Sequence, residues 1–244
     1  MDWTKAKTIL IIAILITNIF LLVTYSVLQD NNEQSDEDLQ LETIALLESK
    51  NIYVKDSLPI KHDKMPVLIV EHDRIDPYEL QQYIWEQIPL DESKRSREGS
   101  IKLAENFLKR CGLWSSNVEL DRVEQEGQRT FVHFKNVYNG IRIEKSYIIC
   151  TIEDGQIIEV ERSWLNPVEF GRTKKATMSA SAALISLMSQ KHELESILVE
   201  DMEMVYWLEE TDYVSQTTIS DTAFPAWKIT YNSGQTKYVP AYND

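Results

Sequence analysis

The longest apolar run of the chain lies near its start. Residues 8–29 carry no charged side chain, and a helix rising about 1.5 Å per residue over that length crosses a hydrocarbon core of roughly 30 Å. A cleaved signal peptide has an apolar region of only about 7–15 residues and a small-residue cleavage site. Thr24, Tyr25 and Ser26 match such a site poorly. The pattern therefore predicts an uncleaved transmembrane anchor over 8–29.

Charged and aromatic residues orient this predicted anchor. Lys5 and Lys7 precede it, and no basic residue follows it before Lys50, so the positive-inside rule places the N-terminus in the cytoplasm. Trp3 and Tyr25 lie near its two ends, where amphipathic rings favour the headgroup layer. We therefore expect Trp3, Lys5, Lys7 and Tyr25 to anchor a single-pass protein at the surfaces of the cell membrane. The chain beyond the helix is expected to be extracytoplasmic.

One face of the predicted anchor has the small side chains that allow another helix to pack closely against it. Ala6, Ala13, Thr17 and Thr24 are spaced by seven, four and seven residues, which superposes them within roughly 40° on a helix of about 3.6 residues per turn. Small side chains let two helices approach closely in lipid, and Asn18, on a different face, offers a hydrogen bond that lipid cannot satisfy. These five residues are the predicted partner-packing site, although a single span also tolerates such residues without a partner.

Beyond the anchor the pattern becomes that of a folded exterior region. An acidic stretch over 30–50 predicts a juxtamembrane linker, and its later part, 36–49, has the apolar residues of a helix. The next clear helix has Asp76 as its cap and Pro77 in its first turn, and Pro89 ends it. Its expected buried stripe is Leu80, Ile84 and Ile88.

Two blocks of similar pattern follow. Each begins with an amphipathic helix, at 100–112 and 179–192, and continues into alternating strands. Asn139-Gly140 and Asp154-Gly155 are two-residue hairpin turns of the first block. The expected fold class is α+β, with an N-terminal transmembrane helix and two extracytoplasmic units, each a helix across an antiparallel sheet. The predicted boundaries are a cytoplasmic tail at 1–7, the anchor at 8–29, the juxtamembrane segment at 30–50, the first unit at 51–170 and the second at 171–244.

Net charge limits the classes of ligand, and the cysteine content bears on the presence of a disulfide. The chain of 244 residues has a formal net charge of -14 at pH 7, which argues against nucleic acid or anionic headgroups as ligands. Such a surface suits a soluble domain or a basic protein partner. Cys111 and Cys150 are the only cysteines, and both fall on apolar faces. Buried thiols are the expected state, and a disulfide between them stays an alternative.

The sequence offers no convergent site for catalysis, a metal or a cofactor. It lacks a phosphate-binding glycine loop, a nucleophile elbow and a zinc motif. His62-Asp63 and His72-Asp73 join imidazole to carboxylate, but neighbouring residues of an extended chain point to opposite sides. His133 lies inside a predicted strand. No enzyme activity is therefore predicted, and no catalytic, metal or cofactor residue is assigned. Five tryptophans are interpreted as core rather than as a ligand groove: Trp85, Trp114, Trp164, Trp207 and Trp227.

Two groups of residues, one at each end, carry the pattern of a known family. The first group is Met1, Asp2, Trp3, Lys5, Lys7, Asn18, Phe20 and Leu21. The second group is Pro225, Ala226, Trp227, Gly234, Tyr238 and Ala241. In these residues the chain resembles the YycI (WalI) regulatory proteins. Those are membrane-anchored accessory proteins of the WalK/WalR (YycG/YycF) two-component system, which governs cell wall metabolism in low-GC Gram-positive bacteria.

The resemblance implies signal transduction through protein–protein interaction. The expected function is a non-enzymatic accessory regulator of a sensor histidine kinase of the WalK/YycG type, acting through its membrane helix and exterior domain together with a YycH-type membrane protein. Differential packing against two kinase states would suffice, because a coupling of about 1–3 kcal/mol gives a 5- to 150-fold shift. The alternative is a membrane-tethered extracytoplasmic binding module for a peptide, wall fragment or protease.

Overall fold

The structure, a computed structural model, describes residues 14–21, 40–59, 64–91, 95–189, 196–208 and 220–242. It is of mixed α and β type with strands dominant, which confirms the predicted α+β class. The helices of the described ranges are α1 (14–21), α2 (40–49), α3 (Pro77–Trp85), α4 (Arg97–Arg110) and α5 (Ala180–Ser189). The strands are β1 (Ile52–Val54), β2 (Lys64–Met65), β3 (Leu68–Asp73), β4 (Val118–Glu126), β5 (Arg129–Tyr138), β6 (Ile141–Glu153), β7 (Gln156–Phe170), β8 (Lys175–Ala176), β9 (Ile197–Trp207), β10 (Ser220–Tyr231) and β11 (Gln235–Pro240).

One nine-stranded sheet runs through both predicted blocks. Its order is β4-β5-β6-β7-β3-β10-β9-β1, with β11 on β10, while β2 and β8 form a separate pair. The strand β3 precedes both blocks in the chain and joins them, because it pairs with β7 of the first and β10 of the second. The expectation that each block has a sheet of its own is therefore corrected. Pairing between strands so far apart in the chain leaves no local periodicity, so the sequence pattern could not reveal it.

Additional pairing closes part of this sheet into a ring. Arg142 and Ile143 of β6 pair in parallel with Val205 and Tyr206 of β9. The pairings β6–β9, β9–β10, β10–β3, β3–β7 and β7–β6 therefore form a closed circuit. A buried cluster combines Met65 of β2 with residues of all five strands of this circuit: Leu68, Val70, Ile143, Leu165, Tyr206 and Ala223. We call it the central cluster.

A helix covers the sheet on each side of the ring. The α4 residues Ala104, Phe107 and Leu108 pack on the β4–β7 meander, in what we call the meander cluster. The α5 residues Ala183 and Leu184 pack with β9, β10 and β11 in a second cluster, which we call the α5 cluster. The helix-then-strands order predicted for both blocks is thus present. Burial of apolar faces of this kind contributes about 25 cal/mol per Å².

Caps and turns explain where the elements begin and end. Ser96 accepts a hydrogen bond from the Gly99 backbone N–H at 3.1 Å, so α4 starts at Arg97 rather than near residue 100. Gly112, at φ +70°, ends the helix as predicted. Asn139-Gly140 and Asp154-Gly155 connect β5 to β6 and β6 to β7, and all four residues have positive φ. This confirms both predicted hairpin turns.

The helix α3 departs from its predicted extent. Asp76 caps it by accepting from the Tyr78 N–H at 2.9 Å, as expected. The helix ends at Trp85, however, and not at Pro89. Leu80 and Ile84 are partly buried on one side of the helix. Residue 88 lies beyond the helix end, so Ile88 does not continue their stripe. The prediction that Ile88 is buried is wrong, since it is 85% exposed.

Both cysteines are free thiols. Cys150 belongs to the meander cluster, and Cys111 packs against it. Cys150 is buried and Cys111 is half-buried. Burial raises the pKa of Cys111 to about 11 and that of Cys150 to about 12. This agrees with the expected buried thiols, and the alternative of a disulfide is not observed.

Ionisation of Tyr206 is expected to couple stability to alkaline pH. Its buried hydroxyl donates to the Pro66 carbonyl at 3.1 Å, and burial raises its pKa from 10.0 to about 12. A raised pKa favours the neutral folded form, so this contribution is complete below pH 10 and is lost as the pH rises from about 10 to 12. Between these pH values the free energy of unfolding should fall less steeply in Tyr206→Phe than in the wild type, as measured by urea denaturation.

The control for this experiment is Tyr78→Phe, because the Tyr78 side chain is exposed. It should keep the wild-type slope. At neutral pH Tyr206→Phe should lose about 1 kcal/mol with its hydrogen bond. Parallel curves for Tyr206→Phe and the wild type above pH 10 would contradict the assignment.

Candidate functional site

The helix α1 is a strongly apolar segment that lies within the predicted anchor. Its large apolar side chains are all more than half exposed: Ile14, Leu15, Ile16, Ile19, Phe20 and Leu21. Contiguous exposed apolar surface of this kind is typical of a segment that contacts lipid or another protein. Among the described residues, none of the helices has both the length and the apolar character needed to cross a bilayer.

Most of the predicted membrane site lies outside the described residues. Thr17 and Asn18 lie on α1, and both are exposed. The other packing residues and the predicted interface anchors are not described: Ala6, Ala13, Thr24, Trp3, Lys5, Lys7 and Tyr25. The grouping of these residues into a packing face and two anchoring ends stays a prediction.

Helix α2 is built into the fold. Leu47 is fully buried and belongs to the α5 cluster, and Ile44 packs against the same cluster. Thr43 is also buried. The strand β1 follows directly and pairs in parallel with β9. The described part of the expected helix, 40–49, is thus helical, and it is fixed to the sheet.

A buried carboxylate organises the charges beside the β6–β9 pairing. Glu144 accepts a hydrogen bond from Lys228 Nζ at 2.8 Å and from the Tyr238 hydroxyl at 2.9 Å. Arg142 Nε lies 3.2 Å from the same carboxylate, and Arg142 Nη1 lies 3.1 Å from Asp121. Burial and the neighbouring Glu144 charge raise the pKa of Tyr238. We call these five residues, Asp121, Arg142, Glu144, Lys228 and Tyr238, the Glu144 network. Because each charge has an opposite partner, the network stabilises the junction of β4, β6, β10 and β11.

The two histidines that the structure describes, His72 and His133, are not part of a metal-binding cluster. His133 Nε2 lies 3.3 Å from Glu124, and burial lowers the pKa of His133, which favours its neutral form. His72 is exposed, while its neighbour Asp73 pairs with Arg162. Over the described part of the chain, no three His, Cys, Asp or Glu side chains are placed to hold a metal ion. His62 and His192 lie outside the described residues.

Two open cavities flank the β4–β6 region. The larger, of about 580 Å³, lies between the start of α4, the β4–β5 turn and the β6–β7 turn. Its Arg95 pairs with Asp154 at 3.4 Å and its Ser96 caps α4, so these polar groups have structural roles. The smaller, of about 290 Å³, borders the Glu144 network. Neither lining places a nucleophile beside a general base in the way that covalent catalysis requires.

Four of the five tryptophans that were predicted to belong to the core are packed. Trp164 and Trp227 are buried, Trp114 meets Phe134 edge-on at 5.6 Å between ring centroids, and Trp207 stacks on Tyr238. Trp85, on α3, is the exception, because it is exposed. The sequence signal for its exposure is its position one residue after Ile84, off the predicted buried stripe.

The Glu144 network generates a test with a matched control. Glu144→Gln keeps the side-chain shape but removes the most buried of the carboxylates that face Lys228 and Arg142, so the free energy of unfolding should fall by about 2 kcal/mol. Glu203 also lies 3.2 Å from Lys228 Nζ but is 38% exposed, so Glu203→Gln should cost less than about 1 kcal/mol. Urea denaturation at pH 7 measures both values, and equal losses would contradict the role given to Glu144.

Comparison with known proteins places the chain in a family. No curated protein matches the sequence. A family model described as YycI protein matches residues 29–242, which is nearly the whole chain. The YycI family is a regulatory and not a catalytic family, and membership suggests an accessory role in the YycG/WalK system. The match extends over every described strand and over α2 to α5, and the chain therefore belongs to the YycI family.

Proposed function

We propose that this chain is a membrane-anchored, non-enzymatic accessory regulator of a sensor histidine kinase of the WalK/YycG type, working beside a YycH-type membrane protein. Family membership over residues 29–242 is the observation that carries the proposal. The lysines before the apolar run favour a cytoplasmic N-terminus and an extracytoplasmic domain in the cell membrane. The bilayer is then the first partner of the chain.

The proposed mechanism is a shift in the balance of two kinase states. A ligand or partner shifts such a balance only by its difference in affinity for the two states. Helix α2 supports the transmission of this difference, because Leu47 fixes it in the α5 cluster. A displacement of α2 would therefore act directly on the packed domain.

The span-exchange experiment tests this mechanism. Replacing residues 1–29 by an unrelated apolar helix should reduce the recovery of the kinase and the YycH-type protein with the tagged, full-length chain. Asn18→Leu alone should weaken recovery several-fold, because a hydrogen bond between helices in lipid contributes about 0.6–2 kcal/mol. Quantitative affinity recovery from cross-linked membranes measures both effects.

An apolar exchange on the same helix, Ile16→Leu, is the control and should recover both proteins at wild-type levels. Undiminished recovery after the span exchange would contradict a working membrane contact and favour the tethered binding module. Absence of the kinase from every sample would contradict the regulator proposal as a whole.

A further inference from the structure

Helix α3 presents an exposed apolar surface on the outside of the domain. Tyr78 is 83% exposed and Trp85 is 76% exposed, and Ile88, in the segment directly after the helix, is also exposed. Tyr78 and Trp85 are seven residues apart, which places them within roughly 20° on a helix of about 3.6 residues per turn. We call Tyr78, Trp85 and Ile88 the α3 patch. Exposed apolar side chains that are grouped on one surface, unlike singly scattered ones, are typical of interaction sites.

The patch stands on a well-anchored support. Gln87 accepts a hydrogen bond from the Ile157 N–H at 2.8 Å and donates back to the Ile157 carbonyl. The Leu90 N–H donates to the Gly155 carbonyl at 2.8 Å, and Arg110 donates to the Tyr83 carbonyl at 2.7 Å.

The inner side of α3 is packed as well. Leu80, Tyr83 and Ile84 contact the meander cluster. A fixed support lowers the entropic cost of binding, because the backbone that carries the aromatic side chains is already ordered. Tyr and Trp are also the residues most often found at the energetic centres of protein interfaces.

Carboxylates predominate in the segment that carries the α3 patch, and Arg110 of α4 is the basic side chain that contacts this helix, at Tyr83. Four exposed carboxylates flank the patch, and no lysine or arginine occurs between residues 75 and 91: the carboxylates are Asp76, Glu79, Glu86 and Asp91. Together with the net charge of -14, they repel a second copy of this chain, an anionic lipid surface and a nucleic acid. They attract a surface with basic residues around an apolar centre.

We propose that the α3 patch is the docking site for an exterior protein surface that combines an apolar pocket with a lysine- and arginine-rich rim. Trp85 fills the pocket, and Glu79 and Glu86 face the basic rim. The identity of that protein rests on the proposed function, which gives the YycH-type protein and the kinase as the two proteins to be tried.

The test uses the full-length chain in nanodiscs, mixed with the purified full-length kinase or YycH-type protein. Trp85→Ser should weaken binding to one of them at least tenfold, the effect typical of an interface centre. Glu79→Lys together with Glu86→Lys should also weaken binding and reduce its dependence on salt. Because Trp85 is exposed, its substitution should leave the midpoint of thermal unfolding unchanged.

The matched control is Leu198→Ser, which alters an exposed apolar residue of β9 and should bind like the wild type. If the wild type binds and Trp85→Ser binds equally well, the patch proposal is overturned while the proposed function stands. If the wild type binds neither protein, both fail. Self-association of the wild type that Trp85→Ser abolishes would overturn the proposal by making a second copy the occupant.

Discussion

The parallel pairing of β6 with β9 is the contact on which the arrangement of the domain depends. It involves only Arg142 and Ile143 on one strand and Val205 and Tyr206 on the other. Consecutive residues of a strand point to opposite faces, so Ile143 enters the central cluster while Arg142 reaches the Glu144 carboxylate. The same short pairing therefore closes the ring of strands and places the buried charges. Without it, two helix-covered sheets would be joined through β3 alone.

Strand β10 connects this junction to helix α2. Trp227 and Lys228 are consecutive, and they use the two faces of the strand differently. Trp227 belongs to the α5 cluster with Leu47 of α2, and its indole N–H donates to the Met178 carbonyl at 2.9 Å. Lys228 pairs with Glu144 on the other face. A displacement of α2 thus acts on the strand that also carries the ion pair, and this gives the proposed regulator a continuous physical path.

The elements that depend on neighbouring residues could be predicted from the sequence. The arrangement that depends on contacts between distant parts of the chain could not. Caps such as Asp76 and turns such as Asn139-Gly140 depend on a few neighbouring residues, so their sequence signals are strong. The joining of the two blocks depends on strands far apart in the chain, which no periodicity encodes. Ile88 was misplaced for a related reason: α3 ends where Gln87 turns to bind Ile157 in β7, a contact 70 residues away. Only the exposure of Ile88 follows from that early helix end, because Tyr78 and Trp85 lie on the helix itself, away from the stripe of Leu80 and Ile84.

The relative sizes of the energies indicate how such a domain would act on a partner. A regulatory coupling is about 1–3 kcal/mol. This is no larger than the stability that is typically lost when one partner of a buried ion pair is removed, about 3–5 kcal/mol. Breaking the Glu144 network or the β6–β9 pairing would therefore cost as much as the signal itself supplies. On the proposed function, the exterior domain moves as a whole, and Leu47 at one end and the α3 patch at the other shift together. Regulation would then arise from the position of a stiff body between two contacts, and not from rearrangement within its core.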